Sequence, residues 1–426
     1  MPQPPRRTPK GSPQPGPQPG PIADARGGLR LAVDATRHIT GLVEALHGQI
    51  QRTAPPLRRR PAAEQALAGD ADGLPRSRGL ANLVYRSIQG STRLVGAGLD
   101  SLLAPWDDAL AGAESRPRRD AMVAALNGVL GDHLLRSGNP LAIPMQLRQQ
   151  GRPLDLAALA ANPPRRVLLL VHGLCMGDGG WCRNGHDHGQ ALGAALAAAP
   201  VYARYNSGRH ISDNGADLAQ ALEHLVQQWP VQPVELFIVG HSMGGLVARS
   251  AVAQAQSSGQ AWPGQLRKLV FLGTPHHGAP LERAGNWLHR MLDLSPYAAP
   301  FTRLSRIRSA GITDLRHGSL MARDWQGASR FDHQDLRQPL PLPAGVDCYA
   351  IASTAGTAST GGSPHGAGSM LGDGLVGLDS ALGKHRRQAM DLGLRKAHTW
   401  VGHGIHHLDL LSDPAVYRRL LGWLGD

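Results

Sequence analysis

Glu235-Leu-Phe-Ile-Val-Gly240-His241-Ser242-Met243-Gly244-Gly245-Leu246-Val247-Ala248-Arg249 carries the sharpest signal in the chain. It opens with an apolar run of strand length and closes in a segment of helical character, with Gly-x-Ser-x-Gly between them. A serine on so sharp a strand-to-helix turn has a strained backbone, and its neighbours two residues either side must lack bulk. Gly240 and Gly244 meet that need. The helix that follows points its positive end toward an oxygen that becomes anionic in acyl transfer. Ser242 is therefore the candidate nucleophile of an enzyme.

Working outward, Val167-Leu-Leu-Leu-Val171-His172-Gly173-Leu174 reads as a buried strand ending in His-Gly. Further short runs rich in strand formers fall at Val201–Tyr205, Lys268–Leu272, Val346–Ala352 and Thr399–Val401. Helix patterns near 185–198, 212–229, 243–257 and 413–424 alternate with them, the last with Pro414 in its first turn. This alternation predicts an α/β fold, a mostly parallel sheet flanked by helices, over residues 161–426. Residues 281–338 lack strand signals and sit where a cap or lid would be inserted. Upstream, residues 1–22 are Pro/Gln/Gly-rich and are expected to be disordered. Residues 23–160 read as helical: Leu42, Val43, Leu46 and Ile50, then Leu80, Leu83, Val84 and Ile88, then Val95, Leu99, Leu102 and Leu103, then Met122, Ala125, Leu126 and Leu130 recur at three- and four-residue steps.

Five motifs together resemble the α/β-hydrolase superfamily, and within it the bacterial triacylglycerol lipases and GPI inositol-deacylase-like hydrolases. They are His172-Gly173-Leu174, the Gly240–Gly245 elbow, Gly273-Thr-Pro-His-His-Gly278, Gly372-Asp373-Gly-Leu-Val376 and His407-Leu-Asp409. The resemblance spans about 167–424 and implies the chain order nucleophile, acid, histidine. Asp373 is then the expected acid, ahead of Asp379 on a following helix and Asp347 inside a strand. The expected base is His407 or its neighbour His406, with His407 favoured because His407-Leu-Asp409 aligns with the end of the lipases' Asn-His-Leu-Asp. The resemblance also implies an oxyanion hole made by the backbone N–H groups of Leu174 and Met243. Asp409 matches a structural calcium ligand of those lipases, although no further oxygen ligands are identifiable here. No other cofactor is expected. His172 and the pair His276-His277 read as structural, and His186-Asp187-His188 lacks the partners of a zinc motif.

The implied activity is hydrolysis of carboxylic esters, with small-molecule or lipid-like acyl esters as substrates. Thioester, amide or inositol deacylation on the same triad is an alternative, as is a non-catalytic membrane-associated protein that keeps the fold. Charge and composition bound the partners. The chain carries +12 formally, and residues 1–61 hold ten basic side chains against three acidic ones. Such a segment suits peripheral contact with an anionic membrane. Without interleaved aromatics or a known fingerprint, nucleic acid is not an expected partner. Three cysteines make neither a disulfide framework nor a zinc pattern, which suits a reducing compartment. With no signal-peptide pattern and no apolar run of membrane-spanning length, a cytoplasmic location is expected.

Overall fold

The computed structural model of the 426-residue chain describes residues 26–34, 117–157, 159, 163–278, 309–327, 335–356 and 372–425. The expected tail 1–22 and the helical patterns at 42–50, 80–88 and 95–103 lie outside them, as do 281–308 and 328–334 of the expected cap. Contacts divide the chain into two units, one built mainly on 114–138 and 142–426, the other on 16–113 and 139–141. In the smaller unit, residues 26–34 form a helix, and Asn139 Nδ2 donates to the Gly27 carbonyl at 3.0 Å.

The larger unit holds an eight-stranded sheet. Its strands are β1 (Gln146–Gln149), β2 (Arg152–Pro153), β3 (Arg166–Val171), β6 (Ala198–Arg204), β7 (Glu235–His241), β8 (Leu266–Leu272), β9 (Asp347–Thr354) and β10 (Thr399–His403). A separate two-stranded ribbon is made by β4 (Cys182–Arg183) and β5 (His186–Asp187). The helices are α1 (Pro117–Arg136), α2 (His188–Leu196), α3 (Ile211–Gln228), α4 (Met243–Ser257), α5 (Ala310–Asp314), α6 (Leu378–Ala381) and α7 (Pro414–Gly425). The strand order is β10-β9-β8-β7-β3-β6-β1-β2, parallel from β10 to β6, with β1 antiparallel on β6. Helices cover both faces of a parallel sheet, so its strands read as unbroken apolar runs; β3 is buried along five consecutive residues. The chain leaves β3 for β6 on one side and returns to β7 on the other. Ligand crevices of open α/β sheets form at such a reversal, beyond the strands' carboxyl ends.

Two features depart from the sequence reading. First, β1 and β2 fall inside the stretch read as helical. Gln-Leu-Arg-Gln has no strand-forming composition; it pairs with β6 along Gln146–Arg148 and with β2, and its Arg148, almost fully buried, meets Asp178 at 3.1 Å. Arg148 also donates to the Gly151 carbonyl. Second, the helix expected from 185 starts only at His188, because His186 and Asp187 belong to the ribbon. Asp187 is the helix cap, accepting the Gln190 N–H at 3.0 Å and the Tyr202 hydroxyl at 2.8 Å.

Helix α1 packs within the larger unit. Asn206 Nδ2, on the loop after β6, donates to the Gly131 carbonyl at 2.9 Å, and Ser309 Oγ donates to the Gly128 carbonyl at 2.7 Å. The described part of the 281–338 insertion is tied down. Asp314 accepts the Ile211 N–H at 2.8 Å and faces His210 Nδ1 at 3.0 Å. Ser250 Oγ donates to the Leu320 carbonyl at 2.6 Å, and the Trp325 indole donates to Ser212 Oγ at 3.1 Å. Among the described residues no helix is long and apolar enough to cross a membrane.

The Arg148–Asp178 pair yields a stability prediction. Removing one partner of a buried pair leaves the other charge uncompensated. Asp178→Ala is expected to lower the unfolding free energy in urea by about 3 kcal/mol or more. The double change Arg148→Met with Asp178→Leu is expected to cost less than the single one. An Asp178→Ala variant as stable as the parent would refute this role for the pair.

Candidate active site

Ser242 follows β7 directly, with φ 53° and ψ −124°, and α4 begins at the next residue. Few side chains tolerate a positive φ, so the surroundings must hold it there. The Ser242 N–H donates to the Leu272 carbonyl of β8 at 2.8 Å, and its own carbonyl accepts from Gly245 at 3.1 Å. The flanking glycines are needed for space. A β-carbon at Gly244 would lie 2.2 Å from the Val171 carbonyl oxygen, and one at Gly240 would lie 2.6 Å from Gly245. The helix can thus be seated against the ends of β3 and β7 only with hydrogens at these positions.

The other expected residues arrive from the same edge. Asp373 follows β9 in a turn whose flanking Gly372 and Gly374 have positive φ. Its Oδ1 accepts the N–H groups of Leu375 at 3.0 Å and Val376 at 2.9 Å, which fixes the carboxylate plane. Its Oδ2 lies 2.6 Å from His407 Nδ1, and both side chains are almost fully buried. A carboxylate can only accept, so Nδ1 carries the proton of the neutral ring and Nε2 is left as an acceptor. His407 Nε2 and Ser242 Oγ are both buried, and among the described residues neither has a hydrogen-bond partner. His406 and His403 are exposed, so the ring brought to Asp373 is that of His407. Asp347, at the exposed start of β9, pairs with Arg395 at 3.6 Å, and Asp379 lies on α6.

The loop after β3 passes beside Ser242: a β-carbon at Gly173 would lie 3.1 Å from that of Ser242. This places the Leu174 backbone in the neighbourhood of Ser242, while Met243 supplies the first N–H of α4, a group without an intrahelical acceptor. Residues at the end of β6, which the sequence places at the same carboxyl edge of the sheet, hold the loop. The Tyr205 hydroxyl donates to the His172 carbonyl at 2.6 Å, and its ring stacks on His172 at 4.2 Å. Ser207 Oγ accepts the Cys175 N–H at 3.0 Å. His241, inside the elbow motif, faces the His407 carbonyl through Nε2 at 3.2 Å, tying the His407 loop to the strand that precedes Ser242. No sequence pattern announces these contacts, since each joins residues far apart in the chain.

His172, His188, His241 and His276 are enclosed. Burial lowers His172 and His188 from 6.5 to about 4 and holds His241 and His276 well below 6.5. His276 packs edge-on against Phe271 and meets Arg249 at 3.3 Å. His188 joins His186 at 2.8 Å and the Leu410 carbonyl at 3.0 Å. Asp409 faces the Arg183 guanidinium at 3.4 Å. Among the described residues no three His, Cys, Asp or Glu side chains gather as a metal site. One carboxylate already held by a cation does not fit the six or more oxygens that calcium takes. Cys175, Cys182 and Cys348 are free thiols, so Cys175 and Cys182 do not pair.

The strand order, the reversal at β3 and the serine elbow at the carboxyl edge define the α/β-hydrolase fold. A family model described as a domain of unknown function, DUF7379, matches residues 134–314, less than half of the chain; it includes Ser242 but stops short of Asp373 and His407. No curated protein matches. Among solved structures, the mature lipase BlEst2 of Bacillus licheniformis is similar at 17% identity and a TM-score of 0.40, covering 66% of this chain and 99% of that one. Aspergillus fumigatus lipase B follows at 13% and 0.35, covering 66% and 55%. RedJ, a thioesterase of the prodiginine pathway in Streptomyces coelicolor, gives 16% and 0.34, covering 65% and 97%. At such distances these likenesses concern the fold alone.

The buried histidines set a pH dependence of stability. His172 and His188 are neutral inside the fold down to about pH 4, whereas in the unfolded chain they take up protons near 6.5. The unfolded chain thus binds more protons between those values, and stability is full above pH 6.5 and falls as the pH drops through that window. The melting temperature is expected to fall by about 10 °C between pH 7 and pH 5 in differential scanning calorimetry. A flat profile over this range would show that these rings are not held neutral.

Proposed function

We propose that the chain is a serine hydrolase of carboxylic esters that works through Ser242, His407 and Asp373. The observation that carries this reading is the Asp373–His407 contact of 2.6 Å, in a site where His407 Nε2 and the Ser242 hydroxyl are both buried and neither has a hydrogen-bond partner among the described residues. In the first half-reaction His407 Nε2 takes the hydroxyl proton as Ser242 Oγ bonds to the ester carbonyl carbon. Asp373 holds the imidazolium in orientation, and the backbone N–H groups of Leu174 and Met243 stabilise the oxyanion. The ester C–O bond breaks, and the leaving alcohol receives the proton from His407. Water then attacks the acyl-enzyme with His407 again as base, releasing the acid and restoring Ser242.

Lipid-like acyl esters are the favoured substrates. The insertion at 281–338 has the length of a cap. Enclosure of Ser242 also suits an apolar acyl chain, because a water-poor site strengthens every charge interaction in the transition state.

Hydrolysis of p-nitrophenyl esters from acetate to palmitate tests this reading. Wild-type protein is expected to be active, with kcat/KM rising toward longer chains. Ser242→Ala and Asp373→Asn are each expected to lower kcat by about ten-thousand-fold. A steep fall in rate beyond a few carbons would overturn the lipid preference, and undiminished activity in Ser242→Ala would overturn the mechanism.

A further inference from the structure

Between the start of β10, the beginning of β9 and one face of α7 lies an open groove of about 630 Å³, a size typical of small-ligand sites. It is separate from the nucleophile: Trp400 lines it near the beginning of β10, whereas His407 follows that strand's far end. Its floor is a run of stacked rings. His398 stacks on Tyr349 at 4.3 Å, and Tyr349 on Trp423 at 4.9 Å. The Arg419 guanidinium stands over both Trp423, at 5.6 Å, and Trp400, at 5.7 Å. Arg418 completes the rim.

The charges on this rim are unspent. Among the described residues neither Arg418 nor Arg419 has a carboxylate within ion-pair distance, and both are exposed. A guanidinium laid over an aromatic face engages its π surface with the ring and keeps its in-plane N–H donors, which fan outward in a fork suited to carboxylate or phosphate. His398 donates Nδ1–H to the Cys348 carbonyl at 3.1 Å, which fixes its ring against the floor. Within the same wall, Gly422 sits inside helix α7, where glycine weakens a helix relative to alanine. A β-carbon there would meet no atom within 4 Å, so packing does not demand the glycine. Its effect is to leave the groove open.

From these features we infer a second binding site, for a planar organic anion: a carboxylate, sulfonate or phosphate head on a flat apolar body. The head lies in the fork of Arg418 and Arg419, and the body lies against Trp400 and the ring edges of Trp423 and Tyr349 that line the groove. The site is independent of ester hydrolysis and stands whether or not Ser242 is a nucleophile.

Titration of the full chain with 8-anilinonaphthalene-1-sulfonate, followed by fluorescence, tests the site. The uncharged N-phenyl-1-naphthylamine serves as a control of the same ring system. Saturable binding of the sulfonate is expected, weakened at least tenfold by the double variant Arg418→Ala/Arg419→Ala while the neutral probe changes less than twofold. Gly422→Leu fills the groove, keeps both arginines and favours the helix; it is expected to weaken both probes at least tenfold. Sulfonate affinity within twofold of wild type in either variant overturns the site, as does an equal loss of both probes in the arginine variant.

Discussion

Gly244 has no room for a β-carbon, and the rest of the site follows from that lack. The first turn of α4 lies against the carbonyl oxygens that end β3, and this closeness forces the Ser242 backbone into the left-handed region. Two backbone hydrogen bonds, to Leu272 and from Gly245, hold it there. A serine in that conformation projects at the crest of the sheet, at the foot of a helix whose first N–H groups point outward. Strain of one residue is thus sustained by packing of two secondary elements, as is common where a reactive group must be presented.

The second constraint is convergence. The parallel strands β3, β7, β9 and β10 end at one edge, and each is followed by one part of the candidate machinery: the His172-Gly173-Leu174 loop, Ser242, Asp373 and His407. Cross-braces between these loops then fix their mutual geometry. His241 reaches the His407 carbonyl, Tyr205 grips the loop after β3, and the N–H groups of Leu375 and Val376 aim the Asp373 carboxylate. Because the braces are buried and neutral, the same arrangement that orders the site makes the fold sensitive to acid.

How much of this the sequence reveals depends on whether a residue acts through its neighbours in the chain or through distant ones. The central strands were legible because a parallel sheet covered on both faces demands apolar runs, and Val167–Val171 or Glu235–Val239 supply them. The elbow was legible because its steric demand falls on residues two positions away. Asp373 and His407 are legible through chain order and resemblance alone, and only the fold separates His407 from His406, since one ring is buried and the other exposed. Strand β1 was illegible: Gln-Leu-Arg-Gln has no strand-forming composition, and its buried Arg148 pairs with Asp178, thirty residues away. The start of α2 was missed for a like reason, since Asp187 serves as a cap only once the ribbon has turned. Tyr205 and His241 carry no local mark, for their contacts exist only in three dimensions.

In the proposed mechanism Ser242 is made nucleophilic by His407. A fluorophosphonate probe reads this directly, since it bonds to an activated serine and largely ignores an ordinary one. After incubation with the probe, peptide mapping by mass spectrometry should show one adduct per chain on Ser242, and none in a His407→Gln variant. An unmodified Ser242, or equal labelling when His407 is replaced, would contradict the account.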